Sequence, residues 1–332
     1  MAASKQNSGT RTVKAAITRD SLARPSKNPA LVLLSKEARS ELNNLAKSLP
    51  SSVTMLQCAQ RDLGLVVAIT LAKSWIPDQS AKEVDVVVAI PDGRWSIDQL
   101  RKAVLGELRT LPISRRVVVI DRVDEIEANA ADTLLKAIEE PGESTVFILL
   151  ADNLDLLNPT IRGRIVTTVT LLPATSEARE SLLTEAGFSV DLAHQAVEVA
   201  GEHVLLANVL VENPNLLTAA KSLRNTVQTS SLKPVTAAAE AVKEIEKLAE
   251  TLGKHLGGQD RGTRAAKREL VEQHISLLRR AGLDSLEDGV EPNRVGEFFV
   301  ACDAAKERML THAPLSVNLS ALHICYWKLR QI

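Results

Sequence analysis

Aromatic residues are nearly missing: four Phe, three Trp and one Tyr make up 2% of the 332-residue chain. Nucleic-acid modules that stack bases on exposed rings depend on such residues and are poor candidates. Cysteine is as sparse, with Cys58, Cys302 and Cys325 far apart. That spacing gives neither a disulfide framework nor a CxxC zinc module, and it fits a reducing cytoplasm. No apolar run reaches the ~20 residues of a membrane span, and no long apolar stretch marks a secretory leader. The six histidines, His194, His203, His255, His274, His312 and His323, form neither an HExxH nor an i,i+4 pair, so no metal centre is expected. The phosphate-loop signature GxxxxGK[ST] is missing too.

What remains is an ordinary globular composition, 45% hydrophobic and 24% charged, in a chain long enough for two or three domains. The formal net charge of −1 conceals an asymmetry. Residues 1–30 carry Lys5, Arg11, Lys14, Arg19, Arg24 and Lys27 against Asp20 alone, leaving the rest of the chain acidic. Rich in Ser, Thr, Asn and Ala and without apolar periodicity, this segment reads as a disordered basic tail. Its composition also fits an organellar transit peptide or a loose grip on DNA phosphates.

From Leu31 the pattern becomes regular. A helix over 36–48 is followed by short apolar, β-branched runs at Val53–Cys58, Asp85–Ile90, Arg116–Asp121, Thr145–Ala151 and Val166–Leu171. Runs without alternation suit strands buried on both faces, as in a parallel sheet covered by helices. The intervening segments 61–76, 96–111 and 127–140 are long enough for crossover helices. Ser96-Ile97-Asp98-Gln99 is a capping box that starts the second, and Pro141-Gly142 stops the third. Residues 31–172 therefore predict a five-stranded parallel α/β domain. After Pro173 only helical patterns remain. Three short ones span 175–211, a polar connector follows to Ser231, and long ones cover 235–255, 264–281, 291–312 and 315–330. The expected division is a small helical domain with its connector at 173–230 and a helical bundle at 231–332.

Chemistry concentrates in Arg116–Arg164. The run ending in Asp121-Arg122-Val123-Asp124 puts acidic groups at the C-terminal end of a buried strand, where open α/β sheets bind ligands. Then come AADTLLKAIEEP (130–141), a strand, and NPTIRGR (158–164). In order and spacing these segments resemble the AAA+ clamp-loader family of bacterial DNA polymerase III, and its delta prime branch above all. SIDQLRKAV (96–104) is similar to the family's helix ahead of Walker B, and Asn318 with Leu322 loosely resembles its closing Asn-x-x-Leu helix.

The resemblance implies an AAA+ domain, a helical lid and a helical collar within a hetero-pentamer. The partners would be gamma/tau-like ATPase subunits and a delta-like subunit, and through them a sliding clamp and primed DNA. It also sets the departures in relief. Aligned without gaps, the phosphate loop would begin at Cys58 in place of a glycine. Gly64 would then stand for the lysine and Leu65 for the Mg²⁺-binding hydroxyl, leaving Arg61 as the nearest cation. Asp121 and Asp124 form a degenerate Walker B in which Arg122 replaces the water-orienting glutamate. Asn153 falls in the sensor-1 region. The family's arginine finger maps to Arg164, with Arg162 as the alternative, although the flanking serine and cysteine are replaced by Gly163 and Ile165. A guanidinium suits that task because its planar fork stays protonated and grips phosphate oxygens. Lys136 reads as a helix-face ion-pair residue, with Glu139 and Glu140 pairing with it or facing solvent. Pro77–Glu83 carries no cysteine where relatives hold a zinc module. The expectation is a subunit that does not hydrolyse ATP, needs no cofactor, and lends an arginine to a neighbour. Two alternatives are an active ATPase in which Arg61 replaces the lysine, and a scaffold or adaptor unrelated to clamp loading.

Overall fold

Two-sided apolarity leaves a strand no solvent face, and the five runs accordingly pair side by side in one parallel sheet. The strands are β1 (Val53–Gln57), β2 (Val86–Ala89), β3 (Arg116–Ile120), β4 (Thr145–Ala151) and β5 (Thr167–Thr170), in the order β2-β3-β4-β1-β5. Central β3 and β4 are buried throughout, whereas edge strand β5 exposes Thr168 and Thr170. The register sets Met55 beside Leu149 and Val118 beside Phe147. This is the five-stranded parallel sheet expected from the unalternating apolar runs. In the computed structural model the described residues are 33–47, 53–76, 78, 81–91, 94–142, 144–255, 259–310 and 314–331, so the basic segment 1–30 lies outside them.

The side chains of charged residues at the ends of two runs hold the adjoining loops. Asp85, expected as the first residue of its strand, precedes β2, and its two carboxylate oxygens accept from Ile113 N–H (3.1 Å) and Ser114 N–H (3.0 Å). The guanidinium of Arg116 donates to the Thr110 carbonyl at 2.7 Å and to the Thr110 hydroxyl at 2.8 Å, closing the approach to β3.

The helices are α1 (Lys36–Lys47), α2 (Arg61–Trp75), α3 (residues 97–108), α4 (Ala128–Glu139) and the one-turn α5 (Pro159–Arg162). Helix α2 is buried on all sides beyond Arg61, consistent with its run of aliphatic residues. Ser96 caps α3 by accepting from Gln99 N–H at 3.4 Å. That helix is not uniform, because Arg101–Leu105 widens to a π-helical turn that the sequence pattern does not reveal. Helix α4 buries Ala130, Ala131, Leu134, Ala137 and Ile138 against the sheet core, and Gly142 leaves it with φ +73°, a conformation glycine adopts without strain.

The remainder is helical: α6 (Ser176–Glu185), α7 (Val190–Ala200), α8 (Val204–Glu212), α9 (Leu217–Ser230), α10 (Pro234–His255), α11 (Gln259–Asp284), α12 (Pro292–Leu310) and α13 (Leu315–Arg330). Packing divides the described residues into two compact units. One holds 40–59 and 64–171; the other holds the segment up to Arg39, the four residues Gln60–Leu63, and everything from Leu172 on. Within the second, α10 packs against α9, α11 and α13. No described helix is long and apolar enough to cross a membrane, and Cys58, Cys302 and Cys325 are unbridged.

A buried polar chain runs through that helical unit. His274 Nε2 lies 2.9 Å from His323 Nε2, and His323 Nδ1 lies 3.0 Å from the Ser230 hydroxyl. Ser230 donates to the His323 carbonyl, so His323 Nδ1–H gives to Ser230 and His274 Nε2–H gives to His323. Burial holds His274 down at about 3 and His323 at about 4, keeping both rings neutral. A depressed histidine contributes stability in full above its unfolded value near 6.5, and that stability drains as pH falls below it. Each ring should cost up to about 1.4 kcal/mol per pH unit in that window. Urea unfolding from pH 7 to about pH 5 should therefore show an acid loss that His274→Gln reduces. An unchanged acid slope in the variant would contradict the assignment.

Candidate functional site

Only three residues, Cys58, Ala59 and Gln60, separate β1 from α2. A phosphate-binding loop needs more, because several consecutive amides must face the anion before the helix begins. Cys58 is buried, and its N–H donates to the Ala151 carbonyl at 2.9 Å. Gly64 and Leu65 lie inside the helix. Leu65 is 3% exposed, and a Cβ on Gly64 would stand 3.3 Å from Cys58 Cβ and 3.4 Å from Leu150 Cδ2. Close packing explains the glycine there. Arg61 opens the helix, and its N–H donates to Glu269 Oε2 at 3.0 Å.

At the C-terminal end of β3 one acidic residue is enclosed and the other holds a loop. Asp121 is 2% exposed, and its carbonyl accepts from Trp95 Nε1 at 2.6 Å. Arg122 sits in the left-handed region at φ 55°, a strained place for a side-chain-bearing residue, and it ion-pairs with Glu125. Asp124 Oδ2 accepts from both Asp152 N–H and Asn153 N–H at 2.9 Å, which ties the end of β3 to the end of β4. The Asn153 side chain accepts from Asp155 N–H at 2.9 Å, capping the short turn Leu154–Leu156.

The two candidate fingers differ in their restraint. Arg162 is exposed, with only a loose 3.8 Å ion pair to Asp155. Arg164 follows α5, and its Nε donates to Glu139 Oε1 at 3.0 Å while a terminal nitrogen contacts the same oxygen. Its side chain is still 52% exposed. Glu139, the last residue of α4, is exposed, one of the two expected alternatives, and it pairs with Arg164, a partner the sequence did not indicate.

Sequence reasoning missed one cluster altogether. Asp62, His203 and Glu269 are each buried, and their potential ligand atoms lie within 4.8 Å of one another. All three belong to the helical unit, which includes Gln60–Leu63. His203 caps α8 by accepting from Leu206 N–H on Nδ1 at 3.1 Å, and its Nε2 is 3.4 Å from Asp62 Oδ2. Burial first, then the charge of Asp62, raises the Glu269 carboxyl well above the usual range; burial likewise raises Asp62 and lowers His203. The three are so far apart in sequence that only an acidic residue in the first turn of a helix, Asp62, offered any local signal.

Comparison with known proteins bears on the α/β part. Residues 25–173 match the profile of the family described as DNA polymerase III, delta subunit. That segment is similar to the DNA polymerase III delta-subunit family over somewhat less than half of the chain. The DNA polymerase III subunit delta' of Pseudomonas aeruginosa is 34% identical over 87 residues, a match spanning 26% of this chain and 26% of that one. Among solved structures, a DNA polymerase III gamma subunit-related protein of Thermotoga maritima is similar at 17% identity with a TM-score of 0.46, covering 89% of this chain and all of that one. RuvB of the same organism is similar at 15% identity and a TM-score of 0.41, over 80% of this chain and 85% of its own.

If Asp124 is a scaffold residue, Asp124→Ala should leave two amides without their acceptor and destabilise the α/β unit by about 1–3 kcal/mol. Hydrogen exchange at Asp152 and Asn153 should accelerate specifically. Unchanged protection at both would show that the carboxylate does not hold that loop.

Proposed function

We propose that the chain is a subunit of a DNA polymerase III clamp loader that does not hydrolyse ATP and presents Arg164 to the nucleotide of a neighbouring gamma/tau-like ATPase. In this reading the helices of 173–230 form the lid and those of 231–332 the collar of a hetero-pentamer that also contains a delta-like subunit. The complex loads a sliding clamp onto primed DNA. The observation that carries the reading is a contrast between the two ends of a would-be ATPase site. Its own phosphate-binding half is reduced to a three-residue loop, with Arg122 where a water-orienting glutamate would stand. A cation there cannot serve as the base for attacking water. Meanwhile Arg164 remains at a helix end, half exposed, with its guanidinium aligned by Glu139. Exposed pairs of this kind contribute little to stability, so the arginine can exchange Glu139 for a phosphate.

The test is assembly followed by turnover. Mixed with gamma/tau-like and delta-like subunits, the chain should enter a stoichiometric complex whose ATPase responds to clamp and primed DNA. Arg164→Ala should assemble normally and slow hydrolysis. Loss of an arginine finger costs on the order of 10³–10⁵ at the affected site, and less for a complex in which several sites share turnover. Asp121→Asn should leave that rate unchanged. The reading fails if the chain never joins the complex, or if Asp121→Asn abolishes hydrolysis while Arg164→Ala has no effect.

A further inference from the structure

A helix N-terminus attracts anions because its first N–H groups lack intrahelical acceptors and the helix dipole favours negative charge there. At the first turn of α2 two such groups already have carboxylate acceptors. Arg61 N–H donates to Glu269 Oε2 at 3.0 Å, and Leu63 N–H donates to Asp62 Oδ1 at 2.7 Å. Glu269 comes from α11, 208 residues further along the chain. Its presence is organised by two neighbouring contacts. Gln60 grips the turn before α8, accepting from Val204 N–H at 2.8 Å and donating to the Glu202 carbonyl at 2.5 Å. One turn beyond Glu269, Gln273 donates to the Ala200 carbonyl at 2.8 Å. Together they bring His203 and Glu269 to Asp62.

Three buried potential ligands also invite a cation, and the histidine decides against one. A metal-bound imidazole donates its second N–H to an acceptor. His203 does the reverse: Nδ1 accepts from Leu206 N–H, so the neutral ring carries its proton on Nε2, facing Asp62 Oδ2 at 3.4 Å. That nitrogen offers a proton where a metal needs a lone pair. One oxygen of each carboxyl is committed to a backbone amide as well.

We propose that Glu269 is a built-in occupant of the anion site at the first turn of α2, completing with Asp62 and His203 an internal carboxyl lock in the place of an external phosphate. As a reason for excluding nucleotide, the lock rests on the function proposed above; as chemistry of the buried cluster, it is independent of it. Two carboxylates cannot both be charged at low cost in one buried space, so the pair retains a proton that the unfolded chain releases. The titratable groups facing Glu269 are Asp62 on α2, His203 at the start of α8, and Glu272 on its own helix. Glu272 is itself paired with Arg268 at 2.9 Å. Because both carboxyls are raised, the folded state binds more protons than the unfolded state from the ordinary carboxyl range upward. The lock therefore contributes most in acid, and its contribution is lost as pH rises through the raised values.

The test uses the full chain alone, without partner subunits, so its failure is distinct from failure of the clamp-loader reading. Urea unfolding of wild type and Glu269→Gln is compared from about pH 5 to about pH 8.5. Glutamine keeps an acceptor for Arg61 N–H but has no proton to lose. The wild type should lose up to about tenfold in its folding constant per pH unit relative to the variant. Hydrogen exchange at Arg61 should accelerate in Glu269→Ala and stay slow in Glu269→Gln. Identical pH slopes in wild type and Glu269→Gln, or Arg61 exchange indifferent to Glu269→Ala, would overturn the proposal. So would stabilisation of the wild type by stoichiometric zinc or manganese that Glu269→Gln abolishes, which would make the cluster a metal site.

Discussion

A helix that starts in a buried position must find acceptors for its first amide groups, and α2 is such a helix. Nearly every residue of it is buried, and it follows the interior strand β1 after only three residues. In a nucleotide-binding α/β protein the acceptors are phosphate oxygens. Here they are carboxylate oxygens of the chain itself, supplied by Asp62 within the turn and Glu269 from α11. Burying these groups is tolerable because they meet N–H donors and, on the proposed lock, retain a proton beside a neutral imidazole.

The same substitution of scaffold for chemistry recurs at the end of β3. Asp124 spends one oxygen on two backbone amides and so binds two strand ends together. Asp121 is enclosed, with its carbonyl bonded to the Trp95 indole. Arg122 accepts a left-handed backbone to reach Glu125. Under the proposed function, the groups that would handle nucleotide in cis lie inward, and the half-exposed guanidinium of Arg164 is the one left accessible. A subunit that acts on a neighbour's nucleotide needs only the second of these.

Much of the α/β architecture was legible because two-sided burial leaves a plain mark: Val117–Ile120 and Val146–Leu150 contain no polar residue. The AADTLLKAIEEP helix was legible for a related reason, since its apolar residues recur on one face and end at Pro141-Gly142. Strand ends were less clear. Asp85 belongs to a loop that it holds by two amide bonds, and charge at the edge of an apolar run does not say whether it joins the ladder. The π-helical turn over Arg101–Leu105 changes hydrogen-bond spacing without changing composition. The Glu139–Arg164 pair and the Asp62–His203–Glu269 cluster were hidden because tertiary packing, not local spacing, makes them neighbours. Six scattered histidines gave no reason to single out His203, and the neutral tautomer it adopts is set by the Leu206 amide.

Calorimetric titration of the full-length chain, free of partner subunits, with Mg²⁺-ATP tests the central claim most directly. If the first turn of α2 is satisfied from within and the chain acts on a neighbour's nucleotide, no saturable binding should be seen up to about 1 mM, the range of a very weak complex. Micromolar binding accompanied by turnover, with both lost in Asp121→Asn, would contradict it and make the chain an ATPase in its own right.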